Sequence, residues 1–291
     1  MSDLFKFKNK DGYENVIPPG SGGLGYMGFD RLVLSQGENF AREVGRKELA
    51  IVLQKGDMEV SVDSEKGQDL AETKAVRTSV FDQKPTALYV PGYSKFSLKS
   101  KQGMKARIFS APADKGGSAY LATPQEINQV SSGVKNWRRH IRVIFGPKSE
   151  ITERLIVGET VSNPGTWIGW PAHKHDYDNE EEYPLDEIFT YQLDGPYGEL
   201  GFLHIYDYEE SRYDSYAIDD DNIAVAISDG YHTQQAVPGC RMYLLFGLAG
   251  ETKTYRMKSD PRFTWLEDAE ELFEEGMGHN LNNVIKEEVE K

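Results

Sequence analysis

The sequence predicts an all-β fold of two tandem double-stranded β-helix (jelly-roll) barrels followed by a C-terminal helix. Three observations carry that expectation. Short runs rich in β-branched and aromatic residues recur along the chain, punctuated by Gly, Pro, Asn and Asp. The second half repeats features of the first. Only the last 26 residues, Leu266 to Lys291, carry a helical pattern, with Leu266, Ala269, Leu272 and Phe273 at helical spacing among acidic side chains.

The strand signals come in order: Glu48 to Leu53, Met58 to Val62, Ala87 to Val90, Ala106 to Ser110, Ile141 to Phe145, Glu187 to Tyr191, Phe202 to Tyr206, Ile223 to Ile227 and Met242 to Phe246. Their brevity and the turn residues that punctuate them suit a sandwich or barrel. The repeat aligns Glu48 to Leu53 and Gly56 with Glu187 to Gln192 and Gly195 at an offset of 139, and Gly92-Tyr93-Ser94 with Gly230-Tyr231-His232 at an offset of 138. Residues 1–130 are therefore expected to form the first barrel, 131–265 the second and 266–291 a helical tail. A polar linker is expected around Thr123 to Lys135.

Composition bounds the function. A chain of 291 residues with 38% hydrophobic content can bury two cores of about 140 residues each. Its net charge of -14 repels phosphate backbones and anionic lipid, and the single basic cluster, Arg138, Arg139, His140 and Arg142, is too short to reverse that. Neither nucleic acid nor membrane is an expected partner. Met1 to Gly12 is charged and lacks the apolar centre of a signal peptide, which sets cytoplasmic location as the expectation. A lone Cys240 agrees with a reducing compartment and reads as a small buried hydrophobe.

The chemistry concentrates in the second half. His173 and His175 flank Lys174, so on an extended strand both imidazoles leave from one face. Glu187 opens the next strand signal, and His232 follows the Gly230-Tyr231 turn. Three imidazoles and a carboxylate suit one divalent ion per chain, zinc or manganese foremost, with iron, cobalt or nickel also compatible. Ser94 stands at the place of His232 in the first half, and no His precedes His140, so only the second barrel can be metalled. Glu48 then reads as a surface or hydrogen-bonding residue, His204 as a barrel residue, and His140 and His279 as linker and tail residues.

These residues also carry a family likeness. Trp167 to Asp176 (WIGWPAHKHD), Leu185 to Phe189 (LDEIF), Asp229 to His232 (DGYH) and Val237 to Tyr243 (VPGCRMY) resemble the motifs of the 5-deoxy-glucuronate isomerase family. The first half agrees through Gly25 to Phe29 (GYMGF), Arg77 to Phe81 (RTSVF) and Ala87 to Pro91 (ALYVP), and the likeness spans Gly20 to Trp265. The resemblance implies a bicupin fold with His173, His175, Glu187 and His232 as metal ligands. It also implies interconversion of 5-deoxy-D-glucuronate with 2-deoxy-5-keto-D-gluconate in myo-inositol catabolism, by a homo-oligomer acting on a small sugar acid. Alternatives are an isomerase of a related ketouronate, an iron-dependent cupin dioxygenase and a non-enzymatic sugar-binding cupin. Tyr191 and Tyr243 are candidate acid, base or substrate-contacting groups, and Arg241 and Arg212 are candidate anchors for the substrate carboxylate.

Overall fold

A computed structural model describes residues 3–8, 10–65 and 69–272. Strands dominate, and the single α-helix among the described residues, Trp265–Leu272, opens the expected helical tail. The remainder of that tail, with His279, lies outside the described residues.

Strands from residues 12–122 build one antiparallel nine-stranded sheet that curls into the first barrel. Its interior is mainly apolar, filled by Leu32, Leu49, Ile51, Leu53, Val60, Leu88, Phe96, Leu98 and Ile108. The second barrel is built from two sheets. A five-stranded sheet runs in the order Arg212–Ile218, Gly201–Asp207, Tyr231–Ala236, Trp167–Lys174 and Lys258–Ser259. The facing seven-stranded sheet includes the central pair Asp186–Asp194 and Arg241–Ala249 and, at its edges, Asp3–Lys6 and Gln129–Ser132.

Two boundaries differ from the sequence expectation. Asp3–Lys6, counted with the first barrel, pairs antiparallel with Ile223–Ile227 of the second. The expected linker contains a strand, Gln129–Ser132, which pairs with Arg139–Phe145 and places His140 in the sheet, its ring beside the Ser131 hydroxyl at 3.0 Å. Both strands satisfy sheet edges that would otherwise stand open.

The barrels meet over a shared apolar seam. Ala50, Val52, Tyr89 and Phe109 from the first pack with Phe145, Ile188, Ala226 and Leu245 from the second. Across this seam the repeat is symmetrical at an offset of 138, which corrects the 139 read from the strand motif. Leu49 pairs with Ser110 as Glu187 pairs with Leu248. Both Leu49 and Glu187 face their own barrel interiors. Glu48 is therefore the counterpart of Asp186. The Glu48 carboxylate accepts the backbone N–H groups of Glu153, Arg154 and Leu155 at 2.6–2.8 Å, while Asp186 accepts those of Tyr26 and Met27. Each acid holds the opposite half of the chain against its own sheet.

A buried charge network closes the seam. The Glu159 carboxylate accepts from Arg77 at 2.7 Å, Arg142 at 2.8 Å and the Tyr243 hydroxyl at 2.9 Å. Gln54 reaches the same hydroxyl and is itself bonded by Gln192 at 2.9 Å. With one acid facing two guanidiniums, removal of the acid leaves two buried cations uncompensated, the situation in which breaking a buried pair is most costly. Glu159→Gln is expected to lose about 3–5 kcal/mol of stability in urea unfolding, the range for a broken buried pair. A loss under about 1 kcal/mol, the range of exposed pairs, would show that the network is not what holds the barrels together.

Candidate metal centre

The site is assembled by strand alternation. In Asp186–Asp194 the side chains of Glu187, Phe189, Tyr191 and Leu193 face the second barrel's interior, while Ile188 joins the seam. On the opposite wall His173 sits directly across from His232 in the antiparallel register. The strand bearing His173 bulges between Ile168 and His173, where Gly169 has a positive φ of 67°, a conformation open to glycine at no steric cost. A Cβ at Gly169 would come within 3.7 Å of the His173 ring.

The four predicted ligands converge. Glu187 Oε2 lies 3.1 Å from Nε2 of His175 and 3.1 Å from Nε2 of His232. The His173 and His232 rings are 4.6 Å apart between centroids, and ligand atoms of His173, Glu187 and His232 all lie within 4.8 Å of one another. His175 stands at the margin of that group, its ring 5.2 Å from His232 and 6.3 Å from His173.

Electrostatics fit a bound cation. Burial penalises the charged carboxylate, but the facing imidazoles of His175 and His232 outweigh it and hold Glu187 down at about 2. Burial, reinforced by His232, pushes His173 well below its ordinary value, so it is a neutral donor. For His175 the hydrogen bond and charge of Glu187 overcome burial and raise it. His232 Nδ1 lies 3.0 Å from the Gly230 carbonyl, a contact that places a proton on Nδ1, so that in the neutral ring the Nε2 lone pair points at Glu187. That Nε2 is buried with no hydrogen-bonding partner. Lone pairs of an imidazole and a carboxylate repel at this distance unless a cation sits between them. Separations of 3.1 Å are those of neighbouring ligand atoms around an ion with bonds of about 2.1 Å. The donor set and its unpartnered nitrogen fit the ion.

Of the other predicted residues, one joins this site and three do not. Tyr191 is fully buried in the barrel, its hydroxyl has no bonding partner, and Gln234 lies beside it. Tyr243 turns to the seam instead, because alternation along Arg241–Ala249 places it with Leu245 among the inter-barrel residues, bonded to Glu159. Arg241 is paired in register with Asp194, seven residues along the strand from Glu187 or about 23 Å at 3.3 Å per residue, and bonds that aspartate at 2.9 Å. Arg212 bonds Asp229 at 2.7 Å on the outer face of the five-stranded sheet, where it lines an aromatic cleft with Trp167, Trp170 and Tyr213. Neither arginine faces the metal ligands. Cys240 is buried, as expected, its thiol donating to the Gly198 carbonyl at 3.3 Å.

Two further groups beside the site were not among the predicted site residues. Tyr255, on an irregular segment, packs its ring against the second core and buries its hydroxyl without a partner, within the field of Glu187. Arg139 is buried at the start of its strand and bonds the Trp170 carbonyl at 3.3 Å. Alternation along Arg139–Phe145 can reveal the arginine, since Arg139, Ile141 and Val143 share a face. Nothing local in the sequence marks Tyr255.

The fold has close parallels. An IolB-like protein from Salmonella typhimurium superposes with a TM-score of 0.81 at 24% identity, over 90% of this chain and 98% of that one. Lactobacillus farciminis oxalate decarboxylase superposes at 0.64 with 8% identity over 97% and 95%, and shares the fold. The 5-deoxy-glucuronate isomerase of Geobacillus kaustophilus is 28% identical over 261 residues, 89% of this chain and 92% of its own length. That of Bacillus subtilis strain 168 is 26% identical over 245 residues, 84% and 88%. A model of the KduI/IolB family matches residues 4–266, nearly the whole of both barrels, and this chain belongs to that family.

Proposed function

We propose that this protein is a metal-dependent aldose–ketose isomerase that converts 5-deoxy-D-glucuronate to 2-deoxy-5-keto-D-gluconate. The observation that carries the reading is the Glu187 carboxylate held 3.1 Å from two imidazole nitrogens in a closed barrel, with His173 opposite. The names of the relatives at 26–28% identity give the substrate. His173, His175, Glu187 and His232 would hold the ion, zinc or manganese being the first candidates. Bound there, a divalent ion supplies Lewis acidity toward the substrate's carbonyl and neighbouring hydroxyl oxygens.

Isomerisation moves a proton from the hydroxyl-bearing carbon to the carbonyl carbon and redistributes one proton between the two oxygens. The carbon skeleton and the oxidation state of the whole molecule are unchanged, so no external oxidant is required. Tyr191 suits the oxygen end of this exchange. Burial and the negative charge of Glu187 push its phenol well above the ordinary value, so at neutral pH it is a proton donor rather than a phenolate base. Its hydroxyl has no hydrogen-bond partner and is available to a substrate oxygen. The barrel walls around it, Phe189, Leu203, Ile205 and Leu244, exclude water that would compete for that hydrogen bond.

Chelation is expected to abolish turnover, and zinc or manganese to restore it under strict anaerobiosis, which also separates an isomerase from a dioxygenase. His173→Ala and Glu187→Gln should purify with less than about a tenth of the wild-type metal, a loss in line with removal of one of four ligands. Full turnover by either variant in metal-free buffer would overturn the assignment. Tyr191→Phe should keep its metal and lose about 10²–10⁴-fold in kcat, the range for removal of a general acid–base group. An unchanged kcat would reduce Tyr191 to a wall residue.

A further inference from the structure

A sugar acid brings a carboxylate into the barrel, and a buried carboxylate needs a cation or strong donors to offset its lost hydration. Arg241 and Arg212 lie away from the metal ligands, whereas Arg139 is bonded to the backbone of the strand that carries His173. It shares the inward face of its strand with Ile141 and Val143, and those two pack with Tyr255. Arg142, one face over, turns to the seam and Glu159.

The Arg139 guanidinium is anchored from behind. One of its nitrogens donates to the carbonyls of Trp137 at 3.2 Å and Trp170 at 3.3 Å. Trp170 belongs to the bulge that delivers His173, so the anchor ties the arginine to the backbone carrying a metal ligand. Its positive charge is felt by both His173 and Tyr255. Of the three clustered ligands His173 is the one that is not fully buried. The Tyr255 hydroxyl, buried and without a partner, lies within the field of Arg139 and of Glu187.

The geometry points to Arg139 and Tyr255 as the carboxylate-recognising end of the cup: the guanidinium supplies charge and the phenol a directed hydrogen bond to a uronate carboxylate. The opposite end of the sugar then lies toward Glu187 and Tyr191. This assignment rests on the isomerase reading for its substrate class and makes specificity, rather than proton transfer, the work of the pair.

The test is calorimetric binding of D-glucuronate and its uncharged counterpart D-glucose to the metal-loaded full-length protein. Wild type should favour glucuronate. Arg139→Met should weaken glucuronate about 30-fold while leaving glucose unchanged, as expected for loss of a hydrogen bond to a charged group. Tyr255→Phe should weaken glucuronate about fivefold, in line with loss of one hydrogen bond. Metal content and thermal midpoint, measured alongside, identify any variant that fails to fold; Arg139→Lys, which keeps the charge and loses the fork, then takes its place and should lose about tenfold. Wild-type discrimination retained by folded, metal-loaded variants at both positions overturns the assignment, as does wild type that does not bind glucuronate. Turnover of 5-deoxy-glucuronate by wild type is scored separately. If it is absent while discrimination depends on Arg139, the isomerase reading falls and the recognition site stands. If it is present with an unaltered KM in Arg139→Met, the reverse holds.

Discussion

The pleat of the Asp186–Asp194 strand is the constraint on which the molecule depends. Successive side chains leave opposite faces, so one nine-residue segment supplies the metal cup with Glu187, Phe189 and Tyr191 and the inter-barrel seam with Asp186, Ile188 and Gln192. A slip of one residue would drive Glu187 into an apolar seam and Ile188 into the cup. Nine consecutive pairs with Arg241–Ala249 fix the register against that slip. Fold and site are thus one problem, since the contacts that join the barrels also aim the carboxylate.

Much of this was legible in the sequence. The His173/His175 spacing, the strand signals and the tandem repeat describe the second barrel's site because period-two alternation is a local property. The repeat failed by one residue at Glu48, where short apolar runs match in either register and parity is invisible without the partner strand. That single residue matters: Leu49, not Glu48, occupies the place of Glu187, while Glu48 does the work of Asp186 by holding the opposite half of the chain. Tyr243 was misplaced for the same reason, its parity sending it to Glu159. Tyr255 escaped because it stands on a segment with no periodicity, brought to the site by tertiary packing alone.

The two barrels also show why a repeated fold carries one centre. Ser94 stands at the place of His232, and its hydroxyl bonds the Gly92 carbonyl as His232 bonds that of Gly230. The turn is preserved and the donor is lost. With Leu49 facing inward among Leu32, Ile51 and Val60, the first interior lacks the counterparts of Glu187 and His232 and is instead a packed support.

Two buried glutamates in the second barrel illustrate how environment decides between structure and function. Glu159 accepts from two guanidiniums and a phenol, so both of its oxygens are occupied by groups that remain charged or protonated at any physiological pH. Such an acid is locked, and it has no capacity left for a ligand. Glu187 is faced by imidazoles, whose protons exchange near neutrality and whose lone pairs can serve a metal as readily as a proton. Around it stand a neutral His173 and an unpartnered His232 nitrogen and Tyr191 hydroxyl, polar groups whose burial costs stability while they wait for partners. On the opposite face of the same sheet the seam, where Glu159 draws on two guanidiniums and a phenol, offsets that cost.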